Sequence, residues 1–96
     1  MILHILNRSP LDSRVYRQAL TAMGPDDRLL LIEEGVQGAL PQMVRHFEGL
    51  DGRLFALRED LIARGLEGRC ADGVLVIDVE GFVTLTEEAD KSVSWF

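Results

Sequence analysis

Cys70 is the only thiol in the chain, so any persulfide or nucleophilic chemistry would have to pass through it. An activated cysteine needs its pKa lowered by a cation, a helix N-terminus or a neighbouring histidine, and it needs access to its reagent. Arg69 adjoins it, yet the segment Gly68-Arg69-Cys70-Ala71-Asp72-Gly73 precedes an apolar run and brings no series of backbone donors behind the sulfur. An inert or incidentally exposed cysteine is the plainer reading. His4 lies inside an apolar run and His46 on an amphipathic one, and neither belongs to an HExxH or CxxC pattern, so no metal set is recognisable. Core packing is expected for His4 and a surface or interface position for His46. The acidic pairs Glu33-Glu34, Glu59-Asp60 and Glu87-Glu88 are adjacent in sequence, a spacing that does not converge two carboxylates on one reacting atom in a helix. Gly35-Val36-Gln37-Gly38 is too short for a phosphate loop, and the GxGxxG and GxxxxGK(S/T) patterns are absent. No cofactor is expected.

The elements that must position these residues follow from short apolar runs alternating with amphipathic ones. Ile2-Leu3-His4-Ile5-Leu6, closed by Asn7-Arg8-Ser9-Pro10, reads as a strand buried on both faces. After Asp12 or Ser13 as N-cap, Val15, Tyr16, Ala19, Leu20 and Met23 recur at helical spacing until Gly24-Pro25 stops them. Arg28 to Ile32 is a second buried strand. Ala39, Leu40, Met43, Val44 and Phe47 form a stripe that predicts a second helix within residues 36–48, with Pro41 tolerable only in its first turn or at a kink. Leu54-Phe55-Ala56-Leu57 is a third strand and Glu59 to Arg64 a short helix closed by Gly65. Gly73-Val74-Leu75-Val76-Ile77-Asp78 has the β-branched density of a central strand. Residues 81–90 fit strand and helix patterns alike and are taken as a helix, and Ser92 to Phe96 alternates like a strand. Such a pattern requires a parallel sheet covered on both faces, a three-layer α/β/α sandwich of about five mainly parallel strands. Its functional rim would be Asn7 to Ser9, Glu33 to Gly35, Leu57 to Asp60 and Asp78 to Gly81, at the strand C-terminal ends. Trp95 and Phe96 close the chain as two large aromatics that either pack on their own sheet or are buried against a partner.

Length and charge narrow the function classes. At 96 residues without repeat or linker, one domain over 1–96 is expected. One cysteine permits no internal disulfide. No apolar run approaches the roughly 20 residues needed to span a bilayer, and the start carries no basic leader, so a cytoplasmic protein without membrane contact is expected. The net charge of −6 opposes direct nucleic-acid binding. Charge is uneven: residues 72–96 carry six acids against Lys91 alone, and nine of the ten basic residues are arginine, which suits paired, partly desolvated contacts.

Several segments together are similar to one family. Leu3-His4-Ile5-Leu6-Asn7-Arg8-Ser9-Pro10, the stretch Arg28 to Val36, the segment Leu57-Arg58-Glu59-Asp60-Leu61-Ile62-Ala63-Arg64-Gly65-Leu66, and Val76-Ile77-Asp78 through Phe82-Val83 to Trp95 resemble the TusB/DsrH family. The match is collinear over essentially the whole chain, and Glu59 to Gly65 is its most specific part. The resemblance implies a DsrE-like α/β fold and a role as the B-type subunit of a TusBCD- or DsrEFH-like heterohexamer that relays persulfide sulfur. Its implied partners are homologous C-type and D-type subunits and, indirectly, the sulfur carriers TusA and TusE, in a pathway ending in 2-thiolation of the wobble uridine of certain tRNAs. In that superfamily the sulfur-carrying cysteine of the D-type subunit follows the third strand; the matching positions here are Leu57, Arg58, Glu59 and Asp60, none a thiol. Some DsrH proteins have a cysteine near the first helix, but residues 11–23 contain none. The resemblance therefore implies a non-catalytic docking subunit; His46, Trp95 and Phe96, by their own chemistry and position, are the candidate interface residues. The alternatives are a DsrH-like subunit in dissimilatory sulfur oxidation and a self-sufficient sulfurtransferase using Cys70. A flavodoxin- or receiver-like domain fits the pattern less well, because the first strand ends in Asn7-Arg8 rather than an acidic pair.

Overall fold

The five apolar runs form one sheet in the computed structural model, which describes residues 1–96. The chain runs β1 (Ile2–Leu6), α1 (Val15–Ala22), β2 (Arg28–Leu31), two 3₁₀ helices (Glu33–Ala39 and Val44–Phe47), β3 (Leu54–Leu57), α2 (Arg58–Ala63), β4 (Leu75–Ile77), α3 (Val79–Glu88) and β5 (Lys91–Trp95). The strand order is β4-β3-β2-β1-β5 and every pairing is parallel. Successive strand residues alternate between faces. Leu6, Leu29, Leu31, Leu54 and Ala56 meet Tyr16 of α1, Val36, Ala39 and Phe47 of the 3₁₀ segments and Leu61 of α2. Leu3, Ile5, Leu30 and Phe55 turn the other way and meet Leu85 of α3, with Phe82 and Ala89 beside them. The result is the three-layer α/β/α arrangement with unequal outer layers, since α3 covers its face alone. No helix is long and apolar enough to cross a membrane.

Helix ends follow from local chemistry. Asp78 caps α3 by accepting the Gly81 N–H at 2.9 Å. Past α2, Gly65 takes φ +69°, the Leu66 N–H reaches the Leu61 carbonyl at 2.8 Å and the Gly65 N–H reaches that of Ile62 at 3.1 Å, a Schellman ending that only a left-handed residue supports. At α1 the expected cap is displaced: Arg14 holds the N-cap position, and the Ser13 hydroxyl accepts from Val15 N–H one position away.

Two expectations are corrected. Residues 36–48 do not form one helix but parts of two 3₁₀ turns broken at Leu40–Met43. Pro41 accounts for the break, because its ring opposes helical backbone at the residue before it and Leu40 is extended at φ −71°, ψ 151°. β4 is not central but an edge strand, with Leu75 and Val76 exposed.

One buried polar network ties the middle of the sheet to its β5 edge. Asp27, just before β2, accepts the Ile2 N–H on Oδ1 at 2.9 Å and the Gly24 N–H on Oδ2 at 2.9 Å. The Trp95 indole N–H donates to His4 Nδ1 at 3.1 Å. Indole can only donate, so the His4 ring proton lies on Nε2 and points to Asp27 Oδ2, 3.1 Å away. Burial opposes the Asp27 charge, but the N–H groups of Gly24 and Ile2 and the His4 ring outweigh it and lower the carboxyl from 3.8 to about 2. A carboxyl lowered on folding stabilises fully above its unfolded value and loses that stabilisation as pH falls through the folded one. Urea titrations of Asp27→Asn are therefore expected to show a flatter decline of stability between pH 4 and pH 2 than those of the native chain. Trp95→Phe keeps the ring but strands His4 Nδ1, and the same titrations at pH 7 are expected to show a loss of about 1–3 kcal/mol.

Candidate functional site

Parallel strands bring all their C-terminal ends to one rim, and four loops meet there. The β1 and β2 exits are joined by the Ile32 N–H to the Leu6 carbonyl at 3.0 Å. Gly35 sits so close to that carbonyl that a Cβ would lie 2.4 Å from the oxygen, which is why only glycine fits. Glu33 has φ +50°, the left-handed region that ordinary side chains avoid. Its N–H donates to Asp60 Oδ2 at 2.6 Å, so the first turn of α2 holds the strained residue in place. Arg64 then links Glu34, through Nε at 2.8 Å, to the carboxyl of Asp60 at 3.9 Å. Across the β4 exit, Glu59 accepts the Val79 N–H at 3.3 Å.

The four positions matched to a relay cysteine are thus occupied by groups with other tasks. Leu57 is buried at the end of β3, in register with Ile77. Arg58 points outward and pairs with Glu67 at 3.0 Å; that hydrogen bond raises its pKa, so it remains a fixed cation. Glu59 and Asp60 bind backbone N–H groups of neighbouring loops. What the rim can do chemically is accept hydrogen bonds: Asn7 Oδ1, at the end of β1, is its one buried side-chain oxygen without a partner. Its one hydroxyl, that of Ser9, is buried and accepts the Leu11 N–H at 3.2 Å, and no group of three acids, histidines or cysteines in the molecule is arranged to hold a metal ion.

Cys70 lies outside this rim, on the approach to the N-terminal end of β4. It packs partly buried against the larger core cluster, and burial pushes its thiol up. A raised pKa leaves little thiolate near neutral pH, the reverse of an activated sulfur. The molecule's larger cleft, about 480 Å³ and lined by Val44, Arg45, Phe47, Leu54, Asp72 and Val74, is at the strand N-terminal ends and does not include Cys70. His46 is half-buried, its Nδ1 donating to the Met43 carbonyl at 2.8 Å and its ring edge-on to Tyr16 at 5.3 Å. Trp95 packs on its own sheet and Phe96 projects, 69% exposed. The three candidate interface residues therefore form no single patch by mutual contact.

The sequence reading missed two features of the molecule. The left-handed Glu33 and its tie to Asp60 had no signal beyond Glu-Glu-Gly after an apolar run. The Asp27–His4–Trp95 network had one, a polar ring inside a strand, which demands a buried partner.

An all-parallel five-stranded α/β protein whose strand-exit rim is closed by carboxylates is the class these features define. The family described as DsrH like protein matches residues 8–92. The chain is 37% identical over 97 residues to Protein TusB of Escherichia coli O1:K1 / APEC, covering 98% of this chain and 100% of that protein. It is 36% identical over 97 residues to Protein TusB of Escherichia coli strain K12 / DH10B, with the same coverage. The chain belongs to the DsrH/TusB family. Among solved structures, the ychN protein from E. coli superposes with a TM-score of 0.78 over 97% of both chains at 19% identity. Protein Tm0979 from Thermotoga maritima does so with a TM-score of 0.67 at 26% identity, over 91% of this chain and 92% of that one. Both share the fold.

Asp60→Ala frees the Glu33 N–H and removes the anchor of a strained residue; urea unfolding is expected to show a loss of about 1–3 kcal/mol. Iodoacetamide labelling of Cys70 at pH 7 is expected to run slower than that of a free cysteine peptide and to catch up only at alkaline pH.

Proposed function

We propose that this chain is the non-catalytic B-type subunit of a TusBCD-type sulfur-relay complex that supports 2-thiolation of the tRNA wobble uridine. Full-length similarity to proteins named TusB supports that branch over sulfur oxidation. The observation that carries the non-catalytic role is the occupation of the relay-equivalent positions by Leu57, Arg58, Glu59 and Asp60, with both carboxylates engaged by backbone donors. Two carboxylates there would raise the pKa of an adjacent thiol and repel an incoming persulfide anion. Sulfur is then carried by a homologous D-type partner, while this chain supplies surface and geometry. Its acidic charge fits contact with protein rather than with RNA.

Co-expression with C-type and D-type subunits is expected to give one stoichiometric species on gel filtration; a monomer that ignores both overturns the proposal. In cells carrying Cys70→Ser as the only copy, 2-thiouridine in hydrolysed tRNA is expected at the native level. Its disappearance would assign the sulfur transfer to this chain.

A further inference from the structure

The two edges of the sheet are built for different surroundings. β5 alternates: Ser92 and Ser94 share a face with Leu3 and Ile5, while Lys91, Val93 and Trp95 take the other. That is the pattern of a strand with one face in water. β4 contains no polar residue. Leu75 and Ile77 are in register with Phe55 and Leu57 on one face and Val76 with Ala56 on the other. Leu75 and Val76 are nevertheless 43% and 46% exposed, and Val79 just beyond them is 50% exposed. Strands apolar on both faces are normally covered on both, and open edges are normally blunted by lysine, proline or charge within the strand. β4 is protected only by being three residues long: Ile77 packs on the core, but Leu75 and Val76 stand open with no lysine, proline or charge in the strand, whereas β5 has serines and Lys91.

The flanks of the strand say what does not cover it. Asp72 precedes β4, Asp78 and Glu80 follow it, and Glu59 reaches its end through the Val79 N–H. A second copy paired antiparallel about Val76 would bring the acids that flank β4 in both chains, Asp72 and Asp78, toward one another. The chain as a whole carries −6, of which residues 72–96 hold most. Like charges at close range oppose that pairing. We infer that the β4 edge is a docking surface for a heterologous subunit, which adds an apolar extended segment flanked by arginine or lysine to the open side of β4. The inference rests on the proposed reading of the chain as a subunit and identifies the side that faces the partner.

The test uses the full chain co-expressed with the C-type and D-type subunits. Val76→Lys places a charge at a half-exposed position that the isolated fold tolerates, confirmed by an unchanged thermal melt, and is expected to weaken recovery of the partners about tenfold or more. Ser94→Lys on the opposite edge is expected to leave recovery unchanged. Hydrogen exchange of residues 74–78 is expected to slow in the complex relative to the isolated chain. Native recovery with Val76→Lys, equal loss with Ser94→Lys, or unchanged exchange at 74–78 each overturns the surface while leaving subunit membership intact. A dimer of the isolated chain that Val76→Lys dissociates overturns the heterologous partner in favour of a second copy. Failure of the native chain to assemble with either subunit is a failure of the underlying reading instead.

Discussion

The carboxylate of Asp60 receiving the backbone N–H of Glu33 at 2.6 Å is the contact on which the strand-exit rim depends. A parallel sheet gathers its loop ends at one rim, and each loop arrives with backbone donors that need partners. Here the partners come from α2: Asp60 holds the left-handed turn after β2, and Glu59 holds the entry to α3. Because both acids are engaged this way, the first turn of α2 serves as a fastening between three loops. A thiol at Asp60 would leave a strained residue unanchored, and the remaining Glu59 would still disfavour a thiolate.

The middle of the sheet has its own fastening. His4, held between the Trp95 indole and Asp27, joins the first strand to the last and to the loop before β2. Every group in that set has a partner, so burying it does not leave an orphaned charge. Trp95 is therefore held within the chain's own sheet, which accounts for an aromatic near the end of the chain without calling on another molecule.

Much of this was legible in the residues. Strand positions followed from continuous apolar runs, because a parallel sheet covered on both sides leaves no polar face to obscure them. The fold class, the rim loops and the absence of a thiol at residues 57–60 followed as well. The helix expected over 36–48 failed for a local reason: its apolar stripe is present, but Pro41 holds Leu40 extended and the chain folds as separate turns. The edge position of β4 was not legible at all. Its apolar composition is that of a strand covered on both faces, and composition does not record where in the sheet a strand stands. The left-handed Glu33 escaped for a similar reason, since its strain is offset by Asp60, 27 residues away in sequence.

A chain that holds rather than carries sulfur differs from a carrier in one directly measurable property. Intact-mass analysis of the assembled complex after incubation with a persulfide donor reports every chain separately. Added sulfur is predicted on a partner subunit, with the mass of this chain unchanged. A stable S–SH adduct on Cys70, formed by this chain alone, would contradict the account.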